Sequence, residues 1–160
     1  MFNALQSLDA VDGSRVLDLF AGSGALGIEA ASRGAASVVL VDSSARAVDA
    51  VRTNLAATGT EGVGSVVRAD ALDWTSRAEG PFDLVLLDPP YEFERWTDLL
   101  VALGPLVASD GLVVIESDRD VEVPPGWRVV RDRVYGSTHV RIAACDGDPL
   151  LPLVDGGALP

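Results

Sequence analysis

Residues 16–27 of the chain, VLDLFAGSGALG, decide its fold. An apolar run ends at Phe20, a loop of small residues follows, and a helical pattern comes directly after the loop. Within this stretch Gly22, Gly24 and Gly27 match the spacing G-x-G-x-x-G. Glycines in such a loop permit a tight turn and a close approach of the backbone to a ligand. The stretch therefore predicts a strand, a ligand-binding loop and a helix, with a tight turn that binds nothing as the simpler alternative.

Apolar runs and helical stretches alternate along the rest of the chain. Strands are predicted over residues 15–20, 37–42, 63–68, 82–88, 112–116, 127–134 and 138–144. Helices are predicted over residues 25–33, from a cap at Ser43 or Ser44 to about residue 57, and over residues 71–77 and 93–103. Near-continuous valine and leucine runs are typical of parallel strands covered on both faces. The pattern predicts a doubly wound, three-layer, Rossmann-like α/β fold, with a mostly parallel seven-stranded sheet and a C-terminal antiparallel hairpin.

The composition indicates one folded domain. The chain has 160 residues, of which 48% are apolar and 22% are charged, a balance that fills a core and excludes intrinsic disorder. We expect this domain to span residues 1–145 and to be followed by a flexible tail over residues 146–160, which is rich in glycine and proline. No apolar run reaches the roughly 18 residues that a membrane span needs. The single cysteine, Cys145, excludes an internal disulfide and a cysteine zinc site, and fits a reducing cytoplasm.

The charge of the chain limits its partners. There are 24 acidic residues against 12 basic ones, which gives a formal net charge of -12. Such an excess of negative charge argues against a protein that coats nucleic acid non-specifically. It leaves open an enzyme that acts on nucleic acid through a local basic patch.

Three aspartates at predicted strand positions indicate which ligand the glycine loop takes. Asp18 lies in the first strand, four residues before Gly22, where a carboxylate would repel a pyrophosphate. It therefore favours a cationic ligand such as S-adenosyl-L-methionine over NAD. Asp42 ends the second strand, where an acid commonly holds ribose hydroxyls, and Asp70 ends the third, where it can accept from an adenine amino group. For Asp42 and Asp70, a carboxylate that caps a helix is the alternative.

Residues 88–91, DPPY, follow the fourth strand at its carboxyl end, where open α/β sheets place their sites. Two prolines stiffen the turn and force Asp88 out of the helical region. The Asp88 carboxylate and the Pro89 carbonyl can accept hydrogen bonds from a planar exocyclic amine, whose lone pair is then directed at an electrophile. Tyr91 offers a ring face for a base, and such stacking contributes roughly 1–3 kcal/mol.

The stretches DLFAGSGALGIEA and LLDPPY together resemble the class I S-adenosylmethionine-dependent methyltransferases that act on exocyclic amines. More narrowly, the chain resembles the RsmD-type 16S ribosomal RNA (guanine-N2) methyltransferases, from Phe2 to about Ile142. Residues 2–5 (FNAL), 33–35 (RGA) and 135–138 (YGST) carry the rest of the likeness. DPPY by itself also fits DNA adenine-N6 or cytosine-N4 methyltransferases. The close spacing of the motifs and the short chain, in which we expect no target-recognition domain, make these enzymes a weaker match.

The resemblance implies methyl transfer to guanine N2 by an enzyme that needs no metal. From the cysteine content we expect a cytoplasmic protein, and because the sequence shows no exposed apolar stripe that calls for a partner subunit, we expect a monomer. Its implied partner is ribosomal RNA or the assembling small ribosomal subunit. The implied catalytic residues are Asp88, Pro89 and Tyr91, and the substrate-binding residues are Pro90 and Tyr91. The implied cofactor-binding residues are Asp18, Phe20, Gly22, Ser23, Gly24, Gly27, Asp42, Ser43, Asp70, Ala71 and Asp88.

The sequence departs from this family at its start. Family members carry an arginine-rich β-hairpin and an Arg-Pro-Thr segment before the helix that here begins at Phe2. Those parts are expected to contact rRNA and to help close the cofactor site. Three other functions remain open: a methyltransferase for DNA or a small-molecule amine, a cofactor-binding module that is inactive without the N-terminal arm, and an NAD-binding domain.

Overall fold

The computed structural model describes residues 1–145, so the tail predicted over residues 146–160 lies outside the described residues. It contains a seven-stranded sheet in the order β3-β2-β1-β4-β5-β7-β6. The strands are β1 Arg15–Leu19, β2 Ser37–Asp42, β3 Gly64–Arg68, β4 Phe82–Leu87, β5 Val107–Ser117, β6 Trp127–Tyr135 and β7 Thr138–Cys145. The first five strands pair in parallel, while β7 runs antiparallel to both β5 and β6. This confirms the doubly wound α/β fold and its closing hairpin.

Helices cover both faces of the sheet and complete the three layers. They are α1 Phe2–Ser7, α2 Ala25–Ser32, α3 Ala45–Thr58, α4 Ala71–Thr75 and α5 Trp96–Leu103. Buried residues of α1, α2 and α3 share one apolar cluster with Leu84 and Leu86 of β4. Buried residues of α4 and α5 share the other cluster with Val85 and Leu87. Alternate residues of one strand therefore enter opposite cores, which explains why the strands are apolar almost throughout.

Several element bounds differ from the sequence-based expectation. The strand β4 ends at Leu87 and α5 begins only at Trp96, because the rigid DPPY turn and the residues after it occupy positions 88–95. The strand β5 begins at Val107, five residues earlier than expected. Its polar first half was not recognisable as a strand, and a register irregularity in β4 between Phe82 and Leu84 accommodates it. The cap of α3 is Ser44, whose side chain accepts from the Ala47 amide at 3.3 Å.

No helix within residues 1–145 is both long and apolar enough to span a bilayer.

Candidate active site

The glycine loop is fixed to the carboxyl end of the neighbouring strand β2. The Phe20 amide donates to the Val41 carbonyl at 3.0 Å, and the Gly22 amide donates to Asp42 Oδ2 at 2.9 Å. Phe20, Gly22 and Gly24 have φ angles of 78°, 56° and 83°, in the left-handed region. Glycine adopts that region without a steric penalty, which explains why two of these three positions are glycine.

A hydrogen bond between Asp18 and Gly27 joins the strand β1, before the glycine loop, to the helix α2, after it. The Gly27 amide donates to Asp18 Oδ2 at 2.8 Å, and Asp18 is only 1% exposed. Burial raises the pKa of Asp18 to about 7, although the Gly27 hydrogen bond lowers it, and the charges of Asp88 and Asp42 raise it further. A β-carbon at Gly27 would lie 2.7 Å from Leu40 Cδ2 and 2.9 Å from Asp18 Oδ2. The close approach of α2 to the sheet therefore leaves no room for a side chain at this position unless Leu40 and Asp18 shift.

The substitution Gly27→Ala is expected to lower the free energy of unfolding by about 1–3 kcal/mol, as overpacking in a core does. The flexible end of Leu40 can move, but the added methyl group also pushes the Asp18 carboxylate away from the amide that it accepts from. Urea denaturation measures the change. Gly62→Ala is the matched control, since a β-carbon there meets nothing within 4 Å. Equal losses in the two variants would contradict the role assigned to this contact.

A cleft of about 430 Å³ opens beside the glycine loop, and we call it the loop cleft. Seven of the predicted cofactor-binding residues line it: Phe20, Gly22, Asp42, Ser43, Asp70, Ala71 and Asp88. The other lining residues are Val41, Ala69, Pro90 and Phe93. The folding of the chain therefore gathers these seven residues, which are spread over 69 positions from Phe20 to Asp88, around one cavity.

The loop cleft is negatively charged. Three carboxylates, those of Asp42, Asp70 and Asp88, line it, and none of the described residues that line it is lysine or arginine. A ligand that carries a sulfonium and an ammonium group fits such a wall, whereas a pyrophosphate would be repelled by it. The cavity therefore suits S-adenosylmethionine better than NAD.

Asp42 and Asp70 also hold the backbone around the loop cleft. Asp42 Oδ1 accepts from the Ser44 amide at 2.8 Å while Oδ2 accepts from Gly22. Asp70 is the N-cap of α4, and its Oδ1 accepts from the amides of Leu72 and Asp73 at 2.9 and 3.1 Å. The helix-cap alternative thus holds for Asp70, and the same side chain still lines the cleft. Contacts of these two aspartates with ribose and adenine stay a prediction.

Four predicted cofactor-binding residues do not line the loop cleft: Asp18, Ser23, Gly24 and Gly27. Asp18 and Gly27 lie behind the loop and support it. The Ser23 carbonyl accepts from Asn54 Nδ2 at 2.9 Å, so α3 holds the tip of the loop. Sequence reasoning missed Asn54, because no local pattern connects a helix residue to a loop 31 positions earlier.

Phe93 is a second residue that sequence reasoning missed. Its ring packs edge-on against Phe20 with centroids 5.1 Å apart, and against Trp96 at 5.3 Å. The aromatic contact joins the segment after DPPY to the glycine loop. An aromatic residue three positions after Pro90 was the available signal.

The DPPY turn lines a second cleft of about 370 Å³, which we call the DPPY cleft. Its lining residues are Asp88, Pro89, Pro90, Tyr91, Glu92, Glu116, Ser117 and Thr138. Asp88 and Pro90 line the loop cleft as well, so the two clefts adjoin at these residues. Partial burial raises the pKa of Asp88, which makes its carboxylate a better proton acceptor than a free one.

Two hydrogen bonds fix the backbone of the turn at Pro90 and Tyr91. The Phe93 amide donates to the Pro90 carbonyl at 2.9 Å, and Arg119 Nη2 donates to the Tyr91 carbonyl at 2.7 Å. The Tyr91 residue is 70% exposed, so its ring face is free to receive a planar group. The geometry therefore combines a carboxylate, the two prolines of the turn and an exposed ring beside an acidic cavity.

Comparison with known proteins places this site in a family context. The family model described as "Conserved hypothetical protein 95" matches residues 1–144. A relative named "Putative rRNA methyltransferase YlbH", from Bacillus subtilis, is 39% identical over 139 residues, which cover 82% of this chain and 76% of that protein. The "Ribosomal RNA small subunit methyltransferase D" of Escherichia coli strain K12 is 35% identical over 135 residues, covering 81% of this chain and 67% of that protein.

A solved structure confirms the fold assignment. The structure described as "Putative methyltransferase yhhF from Escherichia coli" is 30% identical, covers 92% of this chain and 82% of its own, and superposes with a TM-score of 0.82. The family model covers nearly the whole described chain, and two similar proteins bear methyltransferase names. The chain therefore belongs to the family described as conserved hypothetical protein 95, the RsmD-type methyltransferases of the class I fold.

Proposed function

We propose that this protein transfers a methyl group from S-adenosylmethionine to the exocyclic N2 of a guanine in the 16S RNA of the small ribosomal subunit. The observation that carries the proposal is the junction at Asp88 and Pro90, where an acidic loop cleft meets the DPPY cleft. The names of the two similar rRNA methyltransferases support ribosomal RNA as the substrate. We further propose that residues 1–145 act as a single catalytic domain, as a monomer in the cytoplasm.

The residues of the loop cleft fit the proposed cofactor. Its carboxylates match a cation, and Gly22, where a β-carbon would meet nothing within 4 Å, leaves room for close approach. Asp42 would hold the ribose hydroxyls, and Asp70 and Ala71 would lie at the adenine. When bound, S-adenosylmethionine supplies an electrophilic methyl group. The remaining steps depend on what the protein does to the target amine.

The guanine amine needs positioning, because its lone pair is delocalised into the ring. The Asp88 carboxylate and the Pro89 carbonyl accept hydrogen bonds from its two N–H groups. This arrangement turns the lone pair of the amine towards the loop cleft. Positive charge would develop on N2 as the new N–C bond forms and the methyl–sulfur bond breaks, with S-adenosylhomocysteine as the leaving group, and the nearby carboxylate would stabilise that charge. The amine then loses one proton, either to Asp88, whose pKa is raised by burial, or to water. Orientation and electrostatics thus supply the catalysis, with no covalent enzyme intermediate.

Replacement of Tyr91 by alanine is expected to raise KM for the RNA substrate by about 5- to 150-fold, which corresponds to the roughly 1–3 kcal/mol of one base–aromatic stack. Because Tyr91 is 70% exposed, its removal leaves the core intact. Tyr91→Phe retains the ring face and should retain the low KM. Initial rates against substrate concentration distinguish these outcomes, and a common KM for both variants would exclude stacking on this ring.

The proposed reaction is tested by offering the purified chain tritiated S-adenosylmethionine and small ribosomal subunits that lack the modification. We expect radioactivity in 16S RNA and recovery of N2-methylguanosine after nuclease digestion. DNA and free amines serve as competing acceptors. Methylation of those acceptors in place of RNA, or of adenine in place of guanine, would overturn the proposed substrate. Cofactor binding without any turnover would instead identify an inactive binding module.

A further inference from the structure

A second carboxylate faces the DPPY cleft from the adjoining strand. The strands β4 and β5 are parallel, and Leu87 pairs with Ile115 in their register. The residues that follow this pair are Asp88 and Glu116, so the two acids lie side by side at the strand ends. Both line the DPPY cleft. Sequence reasoning assigned Asp88 a role there and left Glu116 without one.

The surroundings of Glu116 leave its carboxylate available to a ligand. No arginine or lysine is among the described residues that line the cleft. Burial and the neighbouring Asp88 charge raise the pKa of Glu116, and the Met1 amino group partly offsets this. The other polar residue at this strand end, Ser117, donates its hydroxyl to the Arg119 carbonyl at 2.5 Å. Two adjoining acceptors, Asp88 and Glu116, are thus presented to whatever enters the cleft.

Nucleobases differ in what they offer such a pair of acceptors. Guanine presents two neighbouring donors on its Watson–Crick edge, the N1 imino group and the N2 amine. Adenine and cytosine each present an amine beside a ring nitrogen with a lone pair. An ionised carboxylate only accepts hydrogen bonds, so it attracts the guanine edge and repels the lone pair of the other two bases.

We propose that Glu116 accepts a hydrogen bond from N1–H of the target guanine while Asp88 accepts from N2, so that Glu116 selects guanine over adenine and cytosine. This inference rests on the proposed guanine-N2 reaction and adds a specificity-determining residue to it. A site built to hydrogen-bond a substrate N–H discriminates strongly against an analogue that lacks it, so a partly buried acceptor such as Glu116 is expected to be more selective than a ring-stacking contact.

The test uses 2-aminopurine, which keeps the 2-amino group but has a lone pair at N1. Small subunits are reconstituted with either guanosine or 2-aminopurine at the methylated nucleotide, once that nucleotide has been mapped with the unsubstituted protein. We expect the unsubstituted protein to prefer guanosine in kcat/KM by about 10- to 100-fold, as one hydrogen bond to a charged group provides. Glu116→Gln should lose most of that preference, because a carboxamide can donate to the lone pair. The difference in intrinsic reactivity between the two bases cancels when the enzymes are compared.

Two further variants control the experiment. Glu122→Gln makes the same chemical change at an exposed position outside both clefts and should keep the original preference. Glu116→Asp keeps an acceptor. It should therefore keep a higher kcat/KM for guanosine than for 2-aminopurine, even if the rate with both falls. Titration with S-adenosylhomocysteine establishes that each variant is folded; if Glu116→Gln does not fold, reversal of the preference in Glu116→Asp would overturn the proposal.

The outcomes separate the inference from the function on which it rests. If the unsubstituted protein methylates guanosine and Glu116→Gln retains its full preference, Glu116 does not read N1, while the guanine-N2 reaction stands. If the unsubstituted protein does not methylate guanosine in the small ribosomal subunits, the proposed function itself fails. A preference that collapses only in Glu116→Gln supports the proposal.

Discussion

Replacing Asp88 by asparagine is expected to lower the rate of methyl transfer, kcat, by about 100- to 1,000-fold, the usual effect of removing one electrostatic partner of the transition state. The carboxamide has nearly the same shape as the carboxylate, so the DPPY turn keeps its form. In the proposed reaction it would lack the negative charge that stabilises the developing ammonium, and the basicity by which Asp88 could take the proton. The loss should therefore fall on kcat much more than on KM.

The charge-matched control for this variant is Asp110→Asn. Asp110 is exposed on β5 at the opposite end of the sheet, so its substitution changes the net charge equally without touching either cleft. Single-turnover rates with saturating cofactor measure the chemical step directly. Calorimetric titration shows whether Asp88→Asn still binds S-adenosylhomocysteine. A kcat within a factor of about two of the unsubstituted value would remove Asp88 from the mechanism, since it corresponds to less than 1 kcal/mol.

The second large effect concerns Asp18 and the pH dependence of stability. Its pKa is about 7 in the folded protein against 3.8 for a free aspartate. Between these two values the folded protein holds a proton that the unfolded chain has lost, so this group makes stability fall as the pH rises. Below pH 3.8 Asp18 is protonated in both the folded and the unfolded protein, and it costs no stability through ionisation. Above pH 7 it is ionised in both, and its ionisation then lowers the free energy of unfolding by the full amount, about 4 kcal/mol.

Asp18→Asn removes this titration. The asparagine carbonyl can still accept from the Gly27 amide, but its buried NH₂ group needs a partner and costs about 1–3 kcal/mol if it finds none. We therefore expect the variant to be more stable than the unsubstituted protein at pH 8 by about 2 kcal/mol. Its advantage should shrink by roughly 2–3 kcal/mol on going from pH 8 to pH 5.

Urea denaturation of the cofactor-free protein at a series of pH values measures both quantities. Asp49→Asn, at an exposed position on α3, is the control. Its free energy of unfolding should change with pH in the same way as that of the unsubstituted protein. If the free energy of unfolding of Asp18→Asn followed that of the unsubstituted protein across pH 4–8, the raised pKa of the buried carboxylate would be contradicted. A variant that is more stable but binds the cationic cofactor more weakly would show that the buried acid is retained for binding.

Much of the fold followed from local patterns in the sequence. Apolar runs of five or six residues located β1, β2 and β4 to within one residue, because strands that are buried on both faces have few polar positions. The first half of β5 was missed, since Ser109 and Asp110 interrupt its apolar pattern. The long turn before α5 was also missed, because the hydrogen bond from the Phe93 amide to the Pro90 carbonyl and the packing of Phe93 against Phe20 are contacts that no local pattern shows.

The candidate site followed from the sequence where its residues lie in motifs. The glycine loop and DPPY supply most of the lining of the loop cleft together with strand-end aspartates. Asn54 and Glu116 were not predictable, because each reaches the site through packing between elements distant in sequence. Phe93 follows DPPY closely in the sequence, but its contact with Phe20 is visible only in the folded chain. The sequence also placed Asp18 in the cofactor set, but its burial behind the loop required knowledge of how closely α2 approaches the sheet.

The two clefts draw on separate parts of the sheet, and among the described residues they share just Asp88 and Pro90. The rest of the loop cleft comes from the ends of β1, β2 and β3 and from Phe93, whereas the DPPY cleft is completed by β5 and β7. Substitutions on the β5 and β7 side can therefore accumulate without disturbing the glycine loop. A scaffold divided in this way can evolve towards new methyl acceptors while the source of the methyl group stays the same.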